Sequence, residues 1–169
     1  MSGSTTAAEP VNTSAVKDRR PVHFEKLQDV VTDAEMLVAA KQVRALGNWT
    51  LGQALGHLAV GMNGTIDGMP FKPPLWLRIL ARLMKRKFLK GPMPPGFRLP
   101  KEAEAKMVPA PEFSAAEGLA QLRAAVARLQ REPNRAPSPV MGKLTREQSD
   151  RLQMHHAELH LSFFWPVDG

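Results

Sequence analysis

The sequence predicts an all-α fold, most simply an up-and-down four-helix bundle with an extra basic helix in a long crossover. Apolar residues recur at the spacing of an amphipathic helix in four long stretches. Three of these stretches follow a capping-box pattern, in which Ser or Thr precedes Glu or Gln by three positions. Sustained period-two alternation is missing from the sequence, so no strands are expected. A chain of 169 residues with 43% hydrophobic residues suits one domain.

The N-terminal part is expected to contain a tail and the first helix. Residues 1–18 are rich in Ser, Thr, Ala and Val without a helical stripe, which predicts a disordered tail before a single domain at 19–169. The tail also lacks the hydrophobic region of a secretory signal, so a cytoplasmic location is expected. Apolar residues at helical spacing predict a first helix over residues 24–46, which Gly47 and Asn48 end.

Three later helices carry their own start signals. The capping boxes are Thr50–Gln53, Ser114–Glu117 and Thr145–Gln148. The helix after the second box is predicted to run to about Arg131, and the helix after the third to about Phe164. Proline and glycine crowd residues 67–74 and 91–111, which predicts two long loops.

Residues 75–89 predict the extra basic helix. This stretch has an apolar side, and nine Lys or Arg with no Asp or Glu lie between Lys72 and Lys101. The favoured interpretation is a solvated basic face whose apolar side packs on the bundle or on a second subunit, which allows a homodimer. A roof over the active site and contact with an anionic membrane are alternatives. Nucleic acid is not expected as a partner, because aromatic residues are only 6% of the chain and tyrosine is absent.

Two histidines near the end of the chain predict a metal site. His156 and His160 are four residues apart, so their Cβ atoms should lie about 5–6 Å apart on one helix face. His57, in the middle of the second helix, is the candidate third ligand, because facing helices of a bundle converge on its interior. Neutral imidazoles suit zinc, nickel, copper or iron, and three ligands leave positions for water or substrate. The alternative is a hydrogen-bonded core histidine and a chance pair on a solvated face.

The remaining histidines are expected to be structural or exposed. His155 is rotated about 100° from His156 around the helix, and His23 lies at the entry of the first helix. A zinc-protease motif is excluded, because Ala157 follows His156 where that motif needs Glu, and Glu158 points away from the ligand face.

Two segments resemble a known family. Gly47-Asn-Trp-Thr-Leu-Gly-Gln-Ala-Leu-Gly-His-Leu58, taken with the segment from Gly142 to Leu161, resembles the DinB-like superfamily, specifically its branch called domain of unknown function 1569. The similarity runs from about Arg19 to Phe164. It implies a four-helix bundle whose metal ion is held by His57, His156 and His160. Better-understood relatives are transferases or isomerases that use a low-molecular-weight thiol, and a chain without cysteine is compatible with a borrowed thiol.

Two further sequence features bear on that resemblance, one that matches the branch and one that departs from it. Trp49 is similar to a tryptophan of the branch and is expected to pack its loop against the core. The sequence departs from the branch at Ser162-Phe-Phe-Trp-Pro166, where a glutamine before an aromatic residue is usual. These aromatic residues are expected to close the bundle.

The predicted function is that of a metal-dependent enzyme acting on a small-molecule substrate, with a divalent zinc, nickel or iron ion on three histidines. In its most specific form the enzyme is a transferase whose co-substrate is a low-molecular-weight thiol. The alternative is a non-catalytic ligand-binding or protein-interaction helical bundle. A transmembrane segment is not expected, because no apolar run approaches about 20 residues.

Overall fold

The computed structural model describes residues 9–69, 72–96 and 101–167. A 3-10 turn, Thr13–Ala15, precedes the first α-helix. The seven α-helices of the described residues are α1 Leu27–Ala39, α2 Leu51–Asp67, α3 Leu75–Leu83, α4 Lys85–Lys90, α5 Lys101–Met107, α6 Ala115–Arg131 and α7 Arg146–Leu161. The two strands are β1 Gln42–Ala45 and β2 Phe164–Val167.

The four longest helices, α1, α2, α6 and α7, contribute to one hydrophobic core. Its largest fully buried side chains come from all four of them and include Leu37, Leu55, Leu58, Met62, Leu122, Leu129 and Leu161. The prediction of a mainly helical fold is therefore confirmed. The up-and-down order of a four-helix bundle stays a prediction. Among the described residues, the helices are all too short or too polar to cross a membrane.

The three capping boxes start helices where the sequence predicted them. The hydroxyls of Thr50, Ser114 and Thr145 each accept a hydrogen bond from the backbone N–H three residues on, and the Gln or Glu there reaches back to the N–H of the cap. Each box thus satisfies two amide groups that a helix start leaves free. These signals fix the first residues of α2, α6 and α7.

Helix α2 packs most closely against α6 and the loop before it. A Cβ atom at Gly52 would overlap the carbonyl oxygen of Phe113, and one at Gly118 would lie 2.8 Å from the Cβ of Leu55. Only glycine lets the two helices approach this closely. The contact therefore holds α2 at a fixed position over α6.

The expectation that the chain has no strands is wrong. The first helix ends at Ala39, well before the predicted residue 46, and β1 follows it. β1 pairs antiparallel with β2, with Ala45 opposite Phe164 and Gln42 opposite Val167. The last helix accordingly ends at Leu161, and Phe164 and Trp165 after it belong to β2. Local periodicity could not show this pairing, because the partner strand lies more than a hundred residues away.

The crossover between α2 and α6 also differs from the prediction. The single basic helix expected over residues 75–89 is two helices, α3 and α4, which meet at Met84. The loop expected over residues 91–111 contains α5, whose Lys, Glu, Ala and Met residues are good helix formers between prolines. Of the predicted tail at 1–18, residues 1–8 lie outside the described residues. Further along that segment, Val11 exchanges two backbone hydrogen bonds with the Asn48 side chain.

Candidate metal centre

His57 is buried in the middle of α2 and has a fixed tautomer. Its Nδ1 lies 2.9 Å from the carbonyl oxygen of Met107, the last residue of α5. A carbonyl oxygen only accepts hydrogen bonds, so Nδ1 carries the proton and donates it. The lone pair of His57 is therefore on Nε2, as in many metal-binding histidines whose other nitrogen is held by a carbonyl.

The Nε2 atoms of three histidines converge between α2 and α7. The Nε2 of His156 lies 3.1 Å from that of His57 and 3.0 Å from that of His160. One ligand atom of each residue lies within 4.8 Å of the others, and the ring centroids are 4.7–5.0 Å apart. The predicted convergence of the three side chains is thus confirmed.

The spacing of these nitrogens fits a shared ion. Two nitrogens bound about 2.0–2.1 Å from one ion, at angles between octahedral and tetrahedral, lie about 2.8–3.4 Å apart. The contacts of 3.0 and 3.1 Å fall in this range. The group of three histidines could therefore hold one metal ion. An all-nitrogen, uncharged donor set is suited to zinc, nickel or iron.

Burial keeps these imidazoles neutral. It lowers the pKa of His156 to about 3, with the repulsion between protonated His156 and protonated His57 as the second cause, and lowers the pKa of His160 well below its ordinary value. Burial also lowers the pKa of His57, against the hydrogen bond to Met107. The Nε2 of His156 faces two other Nε2 atoms, and a neutral ring has at most one N–H there. Without an ion, these nitrogens would have to share one N–H or face each other with their lone pairs. One cation that binds the lone pairs of all three Nε2 atoms removes this mismatch.

Trp49 forms a wall of the histidine cluster. Its ring stacks on His160, with centroids 5.0 Å apart and planes 11° apart, and lies tilted against His57 at 4.9 Å. It also packs against the core, as the sequence predicted. Its contact with two candidate ligands was not foreseen from the sequence. The one available signal was its position directly before the cap of α2.

The histidines outside the cluster have other contacts. The Nδ1 of His155 lies 3.1 Å from the carbonyl oxygen of Phe88, so this buried side chain ties α7 to α4. His23 is exposed and lies 3.0 Å from a carboxylate oxygen of Glu158. Glu158 also accepts a hydrogen bond from the backbone N–H of Phe24. These contacts agree with the prediction that His155, His23 and Glu158 are not part of the ligand set.

Gln153 is a residue beside the cluster that sequence reasoning missed. Its buried Oε1 has no hydrogen-bond partner within the described part of the chain. A Cβ atom at Gly61 would lie 3.6 Å from this oxygen and 3.6 Å from the Nδ1 of His156. The amide oxygen of Gln153 and the His156 ring therefore both lie close to Gly61. The position of Gln153 three residues before His156, on a neighbouring helix face, was the signal available.

A comparison with protein families finds a match over most of the chain. The model of a family described as a protein of unknown function (DUF1569) matches residues 16–167. This range includes α1 through β2 and all three histidines of the cluster. No curated protein and no solved structure matches the chain.

Proposed function

We propose that this chain, which belongs to the DUF1569 family, is a metal-dependent enzyme that binds one divalent ion through His57, His156 and His160. The observation that carries the proposal is the convergence of three Nε2 atoms, at 3.0 and 3.1 Å, from two helices. Zinc, nickel and iron are the candidate ions, because all three accept imidazole nitrogen.

The surroundings of the histidines support a catalytic site over a purely structural one. Structural zinc sites are usually closed by four protein ligands, whereas catalytic sites have three and an open position. The cluster supplies three, and no carboxylate among the described residues joins it. When bound, a divalent ion on neutral ligands acts as a Lewis acid and favours the anionic, nucleophilic form of a thiol or water.

The chain's own residues would orient the ligands and limit access to them. The carbonyl of Met107 holds the His57 ring in one tautomer and one direction. The Trp49 ring covers His160 and His57 on one side, which removes water from that side. A small-molecule substrate would thus approach from another side of the cluster.

We infer further that the enzyme is a transferase of the DinB-like superfamily, with its four core helices as an up-and-down bundle in a single domain. The motifs around His57 and His156 support this placement through their resemblance to that superfamily. The chain has no cysteine, so a sulfur nucleophile would come from a low-molecular-weight thiol. The reducing cytoplasm, which contains such thiols, is the expected setting.

Metal content tests the first step of the proposal. The full chain is purified without a polyhistidine tag, loaded with zinc, nickel or iron in turn, and its metal content is measured by mass spectrometry. We expect one ion per chain, and a loss of affinity of about 100-fold or more in His160→Ala. His23→Ala is the matched control, because it removes an exposed histidine outside the cluster. Uptake that is absent, or equal in His160→Ala, favours the non-catalytic helical bundle instead.

An activity panel tests the second step. Metal-loaded protein and His160→Ala are compared with electrophilic substrates and several low-molecular-weight thiols, while calorimetry follows thiol binding. We expect thiol binding and transfer only in the loaded protein. If the loaded protein binds no thiol and does not accelerate transfer, the thiol mechanism is wrong, and hydrolytic chemistry at the same ion becomes the next reaction to assay.

A further inference from the structure

The apolar side of α3 faces solvent. Five large apolar side chains of this helix are between 44% and 78% exposed, namely Leu75, Trp76, Ile79, Leu80 and Leu83. At 100° per residue they occupy one continuous arc of about 140°. Ala81, on the opposite side, is the buried residue of the helix. Within the described residues this apolar side does not pack on the bundle, and the alternative of packing on a second subunit stays a prediction.

Basic residues lie along one edge of this apolar stripe and on both sides of α3 in the sequence. Between residues 72 and 90 the sequence has no Asp or Glu and seven basic residues, which are Lys72, Arg78, Arg82, Lys85, Arg86, Lys87 and Lys90. Arg78 and Arg82 border the stripe along one edge of α3, and the others precede it or follow in α4. The whole chain carries a formal net charge of +7, so this segment is a concentrated part of an already basic protein.

The segment is attached to the rest of the protein by its other side. The Nζ of Lys85 donates a hydrogen bond to the carbonyl oxygen of Lys143, at 3.2 Å. The carbonyl oxygen of Phe88 contacts the Nδ1 of His155 on α7, and the Arg82 guanidinium lies beside Gly142. These contacts hold α3 and α4 against the protein while the apolar stripe of α3 is directed outward.

We propose that α3 and α4 dock the protein on an anionic membrane surface. In the bound state the apolar stripe, which includes Trp76, enters the boundary between headgroups and acyl chains. The Arg side chains along one edge of the stripe and the Lys and Arg side chains of α4 pair with anionic headgroups, and their long stems cover apolar surface. α3 has nine residues and is about 13 Å long, so docking is reversible. Docking is also sensitive to salt, because charged side chains supply part of the attraction.

Charge favours lipid over a second copy of the chain as the occupant of this surface. A two-fold contact would bring the same patch of each subunit together, and with it the basic residues of both copies of α3 and α4. Like charges at that spacing repel each other. An anionic lipid surface neutralises the same charges and accepts the apolar stripe without a shape-matched pocket.

Vesicle sedimentation with the full chain tests the proposal. Vesicles of phosphatidylcholine alone are compared with vesicles that also contain phosphatidylserine, at low and at physiological ionic strength. We expect the protein to sediment with the anionic vesicles only, and less so as the salt concentration rises. We also expect a blue shift of tryptophan emission on binding, which Trp76→Phe removes.

Two pairs of variants separate the local surface from general effects. Leu83→Glu is compared with Met36→Glu, since Met36 is an exposed apolar residue of α1 and is distant from α3 in the sequence. The double variant Arg86→Glu/Lys87→Glu is compared with Lys41→Glu/Arg44→Glu, which changes the net charge equally at another exposed site. We expect the α3 and α4 variants to weaken vesicle binding about tenfold or more. The two controls should change it less than about twofold.

Four results would contradict all or part of the proposal. The first is an absence of sedimentation with anionic vesicles at low salt. The second is an equal loss of binding in the α3 and α4 variants and in their controls, which would mean that binding depends only on net charge. The third is a dimer in gel filtration that Leu83→Glu dissociates while vesicle binding stays absent, which would assign the stripe to a second copy. Binding that withstands high salt would also contradict the electrostatic part.

Discussion

The two sides of α2 differ in how closely they approach their neighbours. On the side of α6, the backbone atoms are so close that a methyl group at Gly52 or Gly118 has no room. On the side of α7, a Cβ atom at Gly61 would meet only ordinary contacts, at 3.6 Å, from Gln153 and His156. The first side is a close contact of helix with helix and loop, and the second holds polar side chains around the histidine cluster.

This difference separates stability from chemistry within one helix. Close packing against α6 fixes the position of α2, because dense interiors leave little freedom to shift. With α2 fixed by α6, the His57 side chain can point toward α7. The space between α2 and α7 does not then have to be closely packed. The predictions below test this separation, beginning with the largest expected effect.

Substitution of Gly52 by alanine should destabilise the protein strongly. The added methyl group would overlap the backbone oxygen of Phe113, which cannot move without shifting the start of α6. We expect the free energy of unfolding to fall by about 3 kcal/mol or more, the upper range for overpacking. Urea unfolding followed by circular dichroism measures the change. A loss below about 1 kcal/mol would show that the α6 side is looser than described.

Acid should destabilise the metal-free protein through the α7 side. Burial lowers the pKa of His156 from 6.5 to about 3, so between these values the unfolded chain takes up a proton that the folded chain does not. This contribution is complete above about pH 6.5 and is lost progressively toward pH 3, with a slope of at most about 1.4 kcal/mol per pH unit for each such histidine.

Urea unfolding of chelator-treated protein at several pH values measures that slope. His156→Ala should flatten it, because the substitution removes the buried imidazole. An unchanged slope in His156→Ala would contradict the role of the buried imidazole.

Substitution of Gly61 by alanine should have the opposite sign to Gly52→Ala. The methyl group fits at ordinary contact distances, and alanine in a helix interior is more favourable than glycine. We expect a gain of about 0.5–1 kcal/mol in the free energy of unfolding, by the same urea measurement. Metal uptake should be retained. A destabilised Gly61→Ala would mean that the two sides of α2 are equally tight.

Removing a surface ion pair from the α6 side should have the smallest effect. Arg128 of α6 makes two hydrogen bonds to the exposed carboxylate of Asp67 at the end of α2, and these lower the pKa of that carboxyl. Asp67→Asn should reduce stability at neutral pH by less than Gly61→Ala raises it, and the reduction should fade in high salt. Thermal unfolding at two salt concentrations measures this. A loss of stability comparable to that of Gly52→Ala would mean that ion pairing, and not packing, supplies most of the stability on the α6 side.

Local signals in the sequence predicted the parts of the fold that depend on neighbouring residues. The boxes at Thr50, Ser114 and Thr145 located three helix starts, because a capping box is complete within four residues. The end of α1 at Ala39 was missed, because the next residues pair with β2 near the end of the chain. A local pattern contains no information about that partner.

In the candidate site, too, local features were predictable from the sequence and tertiary contacts were not. His156 and His160 were predictable because four residues make one helical turn, and His57 because helix faces converge. Met107, Trp49 and Gln153 reach the cluster through the arrangement of α5 and of the loop before α2, and through a neighbouring face of α7. Those placements depend on tertiary contacts, which a single sequence does not display.

The separation of the ligands along the chain sets the order of events during synthesis. His57 and His156 are 99 residues apart. A ribosome adding about 5–20 residues per second needs about 5–20 s to pass from one to the other. During that interval His57 is made but the nitrogens of α7 are not, so the complete set of three can capture an ion only after α7 has left the ribosome. Metal acquisition is therefore a late step, and the nascent chain offers at most one of the three histidines.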